Sequence, residues 1–293
     1  DYIELGVTSI EHFYGIADAA LSGRQRLPPE MNVTNEIHRF GRAGELWAQA
    51  DPAKLTSVID AMVAHHVAWT PTLSIYDAAR DIQRAQTVPW FRDYLHPGLE
   101  AFFRPSLDHH GSFFLGWTST QEARWKQQFR LWMDALRDFG HKGGLVTTGD
   151  DAGYLYSLYG FGLSRELELQ EEAGFTPLEV LEHATWNGAR LLGLDDRLGK
   201  VREGYIADLL VVNGNPLDNL KLLNPYGTDQ MTVNGRVVSN YSSVAAGDTV
   251  GTVHGGGIEW TIRDGIPYHV PTLLREVREM VSAARQRATT TAP

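Results

Sequence analysis

Gly144-Leu145-Val146-Thr147-Thr148-Gly149-Asp150-Asp151-Ala152-Gly153 is the stretch on which the reading of this chain turns. A short apolar run ends in two carboxylates and a glycine turn. An earlier run, Gly6-Val7-Thr8-Ser9-Ile10-Glu11-His12, ends in a histidine in the same way. A histidine and a carboxylate at the C-terminal ends of two strands is how a (β/α) barrel places metal ligands at its catalytic mouth. No His-x-His pair occurs among the eleven histidines. The two runs are therefore expected to supply only part of such a site.

Outward from these runs, helix and strand signals alternate, the mark of α/β architecture. Asp51-Pro52 starts a helix by N-cap and first-turn proline, with Leu55, Val58, Ile59, Met62 and Val63 as its apolar stripe. Val67 to Leu73 reads as a strand broken at Pro71. Residues 14 to 50 read as loop-rich, and residues 76 to 120 as an aromatic insertion over the barrel. A helix is predicted from about Gln121 to Phe139, with Trp125, Phe129, Trp132 and Leu136 on one face. Another runs from about Leu163 to Ala173. A capping box, Thr176-Pro177-Leu178-Glu179, opens a helix to about Leu192.

From Leu198 the period changes. Ala207 to Val212 is strand-like, and Asn234-Gly235 and Asp264-Gly265 mark two hairpin turns. Leu273 to about Arg287 reads as an amphipathic helix. The expected division is a barrel part over 1–195, with a helical insertion at about 76–140, a β-sandwich portion over 196–270, and a helix and tail over 271–293.

Composition narrows the classes. The chain has 293 residues, and 43% of them are hydrophobic, enough for a sizeable core. A formal charge of −10 argues against general binding to nucleic acid or anionic lipid. With no cysteine, disulfides and thiolate-ligated zinc are excluded. No apolar run is long enough to span a membrane as a helix. The chain begins at Asp1 rather than Met and enters a strand almost at once. It is expected to be truncated or cleaved there, which leaves the compartment open.

The motifs together resemble the amidohydrolase superfamily, in its imidazolonepropionase-like and Xaa-Pro dipeptidase-like branch. The run to His12 resembles the sixth barrel strand. Thr148-Gly149-Asp150-Asp151-Ala152-Gly153 resembles the eighth, with Asp150 where the family usually has Thr. Leu181-Glu182-His183-Ala184-Thr185-Trp186-Asn187-Gly188 resembles the helix that follows, and Leu198 to Leu209 with Asn215-Pro216-Leu217 the return to a composite β-sandwich. The resemblance implies a partial (β/α)8 TIM-type barrel with strands 6 to 8 present, followed by the C-terminal part of that sandwich. Earlier strands of the family carry His-x-His, a lysine or glutamate and another histidine, and none of these maps onto this chain.

The resemblance also implies roles. His12 and Asp151 are expected to hold a divalent metal, zinc by donor preference. Asp151 is also the expected proton shuttle. Phe13, Tyr14, Tyr154 and Tyr156 are candidates to contact substrate. Asp150 is either a partner of the metal site or a solvated turn residue. His183, His65-His66 and His109-His110 read as packing, surface or insertion residues. The expected reaction is hydrolysis of an amide, cyclic amide or dipeptide bond in a small molecule, with the missing N-terminal segment or a second copy as partner. The competing readings are a non-catalytic fragment and a lyase or isomerase on the same scaffold.

Overall fold

A computed structural model describes residues 2–22, 46–80, 87–88, 90–104, 106, 116–240, 242 and 244–290. The architecture is mixed α/β. The first part opens with strand β1 (Ser9–Glu11) and the short helix α1 (Ile16–Ala19). Helix α2 (Pro52–Ala64) follows, with Asp51 Oδ1 accepting the amides of Ala53 and Lys54. Its N-terminus is capped as the Asp-Pro signal predicts. The chain then forms β2 (Ala68–Thr70) and helix α3 (Leu73–Arg80).

β1 and β2 pair in parallel, Ser9 opposite Ala68 and Glu11 opposite Thr70. On the other side of β2 the predicted strand 144–149 shrinks to a single parallel bridge, Trp69 to Val146. Two backbone bonds hold it, Trp69 N–H to Leu145 C=O at 2.9 Å and Thr147 N–H to Trp69 C=O at 3.0 Å. Glycines flank it. Gly143 takes a left-handed turn, and Gly149 packs against the Thr70 methyl group where a Cβ would sit at 3.0 Å. The β1 strand also starts later than expected, because Tyr2 to Gly6 forms turns.

The aromatic insertion is helical where it is described, as α4 (Phe91–Tyr94) and α5 (Pro97–Phe103). His109-His110 and most of the predicted loop at 23–45 lie outside the described residues. Helix α6 (Ser119–His141) extends two residues beyond the prediction at each end, and the Thr118–Gln121 capping box sets its start. Its stripe of Trp125, Phe129, Trp132 and Leu136 is buried, as the spacing requires. Trp132 is the hub of the core, stacked on Phe13 at 4.6 Å and tilted against Tyr76 at 4.7 Å.

Helices α7 (Gly162–Glu172) and α8 (Pro177–Glu182) follow. The predicted helix to Leu192 is then interrupted by a π-helical turn (His183–Asn187) before α9 (Gly188–Leu191). The second part holds two antiparallel sheets of three strands. One is ordered β3 (Leu209–Val212), β7 (Ile258–Arg263), β8 (Ile266–His269). The other is ordered β5 (Arg236–Val237), β4 (Thr228–Val233), β6 (Val250–Gly255). Asn234-Gly235 and Asp264-Gly265 form the predicted hairpin turns, all four residues at positive φ. Helix α10 (Val270–Thr290) closes the described chain and packs on α4, α5 and β7. No helix among the described residues is long and apolar enough to cross a membrane.

Candidate active site

The parallel pairing puts the ends of β1 and of the 145–147 segment on either side of β2, and both ends point the same way. His12 is the first residue past β1. Its N–H donates to Thr70 C=O at 2.9 Å, and the Trp69 indole N–H donates to His12 C=O at 2.6 Å. These two bonds hold His12 in the left-handed region, at φ 65°. Asp151 is left-handed too, at φ 47°. Two non-glycine residues at positive φ are an uncommon pair, and each must be held there by its surroundings.

The result is that His12 Nε2 lies 3.8 Å from Asp151 Oδ2. This is too long for a hydrogen bond. It is a span that a single ion can bridge with bonds of about 2.0–2.2 Å to nitrogen and oxygen. Burial lowers the pKa of His12, against the opposing charges of Asp151 and Glu11. A ring held neutral keeps a lone pair free for a ligand. Its Nδ1 is buried and has no hydrogen-bond partner among the described residues. A metal-binding histidine usually donates that second N–H to an acceptor, so here the ring is incompletely supported. No group of three potential metal-ligating side chains occurs among the described residues. The pair therefore fits a metal as two of its donors and does not complete a set.

Both side chains face a cavity of about 320 Å³ whose walls include Tyr14, Tyr76, Phe102 and Tyr154. Of the aromatic residues named as substrate contacts, Tyr14 and Tyr154 line this cavity. Phe13 does not. It is 0% exposed, its ring turned away from the cavity into the aromatic core. Adjacent side chains at a strand end point to opposite sides, so with His12 facing the cavity Phe13 faces the core. Tyr156 is also displaced. It packs on Phe103 at 4.9 Å and lines a separate hollow of about 540 Å³. That hollow is larger, yet neither His12 nor Asp151 reaches it. His12 and Asp151, rather than the volume, single out the smaller one as the candidate site.

Asp150 points away from Asp151. Its carboxyl approaches the start of α7 so closely that a Cβ on Gly162 would lie 2.5 Å from Oδ2. Burial raises its pKa, and the backbone N–H groups of Ala152 and Leu163 among others oppose this. It is neither a metal donor facing His12 nor a purely solvated turn residue. Tyr76 is a cavity residue the sequence reading missed. It lies 5.7 Å from the His12 ring, and burial pushes its hydroxyl pKa well above the ordinary value. Its position in the insertion carried no periodic signal.

Residues 32–238 match the amidohydrolase family. A stretch of 60 residues, 19% of this chain, is 43% identical to 12% of the ochratoxinase of Aspergillus niger. A solved bottromycin amidohydrolase superposes with a TM-score of 0.54 at 16% identity, covering 94% of this chain and 49% of that one. A Xaa-Pro dipeptidase with methionine bound in its active site gives a TM-score of 0.47 at 18% identity, over 91% of this chain and 41% of that one. The chain therefore spans less than half the length of each of these proteins. With well over half of its residues inside the family match, this chain belongs to the amidohydrolase family.

Proposed function

We propose that this chain contributes His12 and Asp151 to the active site of a metal-dependent hydrolase. The bond cleaved is the C–N bond of a small amide, cyclic amide or dipeptide. The observation that carries this reading is the facing pair, 3.8 Å apart in a shared cavity. Membership of the family supports the bond class. The three parallel segments around β2 are read as part of a TIM-type barrel, and the two small sheets as part of a composite β-sandwich.

When bound, a divalent ion, zinc by the nitrogen and oxygen chemistry of the donors, would polarise the substrate carbonyl and acidify a water. The chain's own residues do the rest. Neutral His12 offers Nε2 as a donor. Asp151, 53% exposed, can accept a proton from the attacking water and return it to the departing nitrogen. Water oxygen bonds to the carbonyl carbon, the C–N bond breaks, and the amine leaves protonated. Tyr14 and Tyr154 wall the cavity and are positioned to touch substrate. The remaining donors lie outside the described residues, in another segment or a partner subunit.

The test is zinc titration of the chain by calorimetry, with the total metal content of the purified protein. His12→Ala and Asp151→Ala should each weaken binding by at least about tenfold. Native uptake in both variants would overturn the assignment. The lack of a third donor among the described residues favours a second reading, a structural or partner subunit with an incomplete site. A native chain that takes up no zinc, alone or with its complementing segment, selects it.

A further inference from the structure

A chain of buried polar groups runs behind the site, and the proposed reaction uses none of them. Its centre is Glu166, on the buried face of α7 and 0% exposed. Glu166 Oε2 accepts the Ser74 N–H at 2.8 Å, and Oε1 accepts a Gln170 Nε2–H at 3.0 Å. The other Gln170 Nε2–H donates to Thr147 C=O at 3.1 Å. Gln170 Oε1 lies 2.8 Å from His183 Nδ1, and since an amide oxygen only accepts, that nitrogen carries the proton. Ser74 Oγ donates to Asp150 C=O at 3.3 Å. Asn187 Nδ2 donates to Val146 C=O at 2.9 Å.

These contacts share a target. The carbonyls of Val146, Thr147 and Asp150, all in the segment that delivers Asp151, are met by side chains from α3, α7 and the π turn. Among the described residues β2 is the only strand bonded to this segment. Side chains thus do what a second strand would do.

From this geometry we infer that Glu166 is a positioning residue for Asp151. Its carboxyl anchors the Ser74 amide and the Gln170 amide group, and through them the 146–151 segment, so that Asp151 is presented to His12. Only a two-oxygen acceptor satisfies both donors at once. A glutamine would offer one oxygen and set an N–H against one of them. Burial pushes the Glu166 pKa up to about 7, with the Gln170 and Ser74 bonds opposing and Asp150 adding to it. The group is thus kept despite the cost of a buried acid.

The role is defined relative to the His12–Asp151 pair and rests on the reading of that pair as the reactive centre. The test measures their proximity directly, without metal. In protein carrying labelled histidine and aspartate, the native chain should show a nuclear Overhauser contact between the His12 ring and the Asp151 Cβ protons. Glu166→Gln should lose it. Ser74→Ala removes the hydroxyl that reaches the Asp150 carbonyl and Glu166, keeps the Ser74 amide bond to Glu166, and should weaken the contact. Both variants are compared at a temperature where circular dichroism shows them folded. A purely structural Glu166 would lower the melting temperature and leave the contact intact. Native contact in both variants, or none in the wild type, overturns the inference. If Glu166→Gln does not fold, Ser74→Ala decides it by the same criterion. Zinc titration of the same samples is scored separately. Loss of the contact in the variants upholds the positioning role even where no zinc binds, and that second result sinks only the metal reading.

Discussion

At the two proposed site residues the backbone sets the geometry as much as the side chains do. His12 and Asp151 face each other with both residues in left-handed conformations, His12 held there by Thr70 and Trp69. The buried acid behind them leaves a signature in stability. Glu166 ionises near 4.5 when unfolded and near 7 when folded. Between those values the native state keeps a proton that the unfolded state has released. Its contribution is therefore greatest at the acid end of the window and falls as pH rises, levelling above it. His183 acts in the opposite sense, because burial lowers it to about 4, so its contribution falls as pH drops below its ordinary value. Urea unfolding at about pH 5 and about pH 7.5 separates the two, since Glu166→Gln keeps His183. The stability difference between native chain and variant should change by about 2 kcal/mol across that interval. No change would show that Glu166 is not a buried acid in solution.

At the level of elements, two helix starts carry sharp expectations. The α7 N-terminus fits against Asp150 only because residue 162 lacks a side chain, a Cβ there meeting Asp150 Oδ2 at 2.5 Å and Ser157 Oγ at 2.6 Å. Gly162→Ala should cost about 1–3 kcal/mol by thermal unfolding, although alanine is the better helix former. Thr176→Ala should cost about 0.5–2 kcal/mol, since Thr176 caps the Glu179 amide while the Glu179 carboxylate caps the Thr176 amide. Helix stripes, capping boxes and Asn-Gly turns were legible because their signals are local. The facing of His12 and Asp151 followed from two strand ends in one parallel arrangement. What escaped depends on neighbours far along the chain. The strand at 144–149 reduces to a bridge because its second edge meets side chains. The π turn places Asn187 on the Val146 carbonyl, and nothing in His183-Ala184-Thr185-Trp186-Asn187 announces the extra residue. Phe13 was misplaced because nearness to His12 in sequence is not nearness to the cavity, adjacent side chains at a strand end pointing to opposite sides. Leu155 and Tyr156 are two successive left-handed residues, which turn Tyr156 from the cavity. Glu166 carried a usable clue, an acid one helical turn before Gln170 on the face that also buries Leu169.

Across the whole molecule, one aromatic core joins the site to the scaffold. Trp132 touches Phe13, Trp47, Tyr76, Trp125 and Phe129, so it sits directly beneath the residues flanking the cavity. Trp132→Ala should cost about 3–5 kcal/mol in chemical denaturation. The two small sheets behave differently. Leu210, Val211, Val237, Val250, Val253 and Ile266 are all exposed on them. Apolar strand surface of this kind favours association, so light scattering should show the chain self-associating as concentration rises. A mass that stays monomeric on concentration would contradict this. The indole that clamps His12 has one more consequence. Trp69 gives its N–H to the very carbonyl that fixes the histidine, and its ring packs edge-on against Phe13 and Phe139. Whatever tugs on His12 therefore perturbs a chromophore, and the near-ultraviolet dichroism of that tryptophan is a built-in optical gauge of events at the mouth.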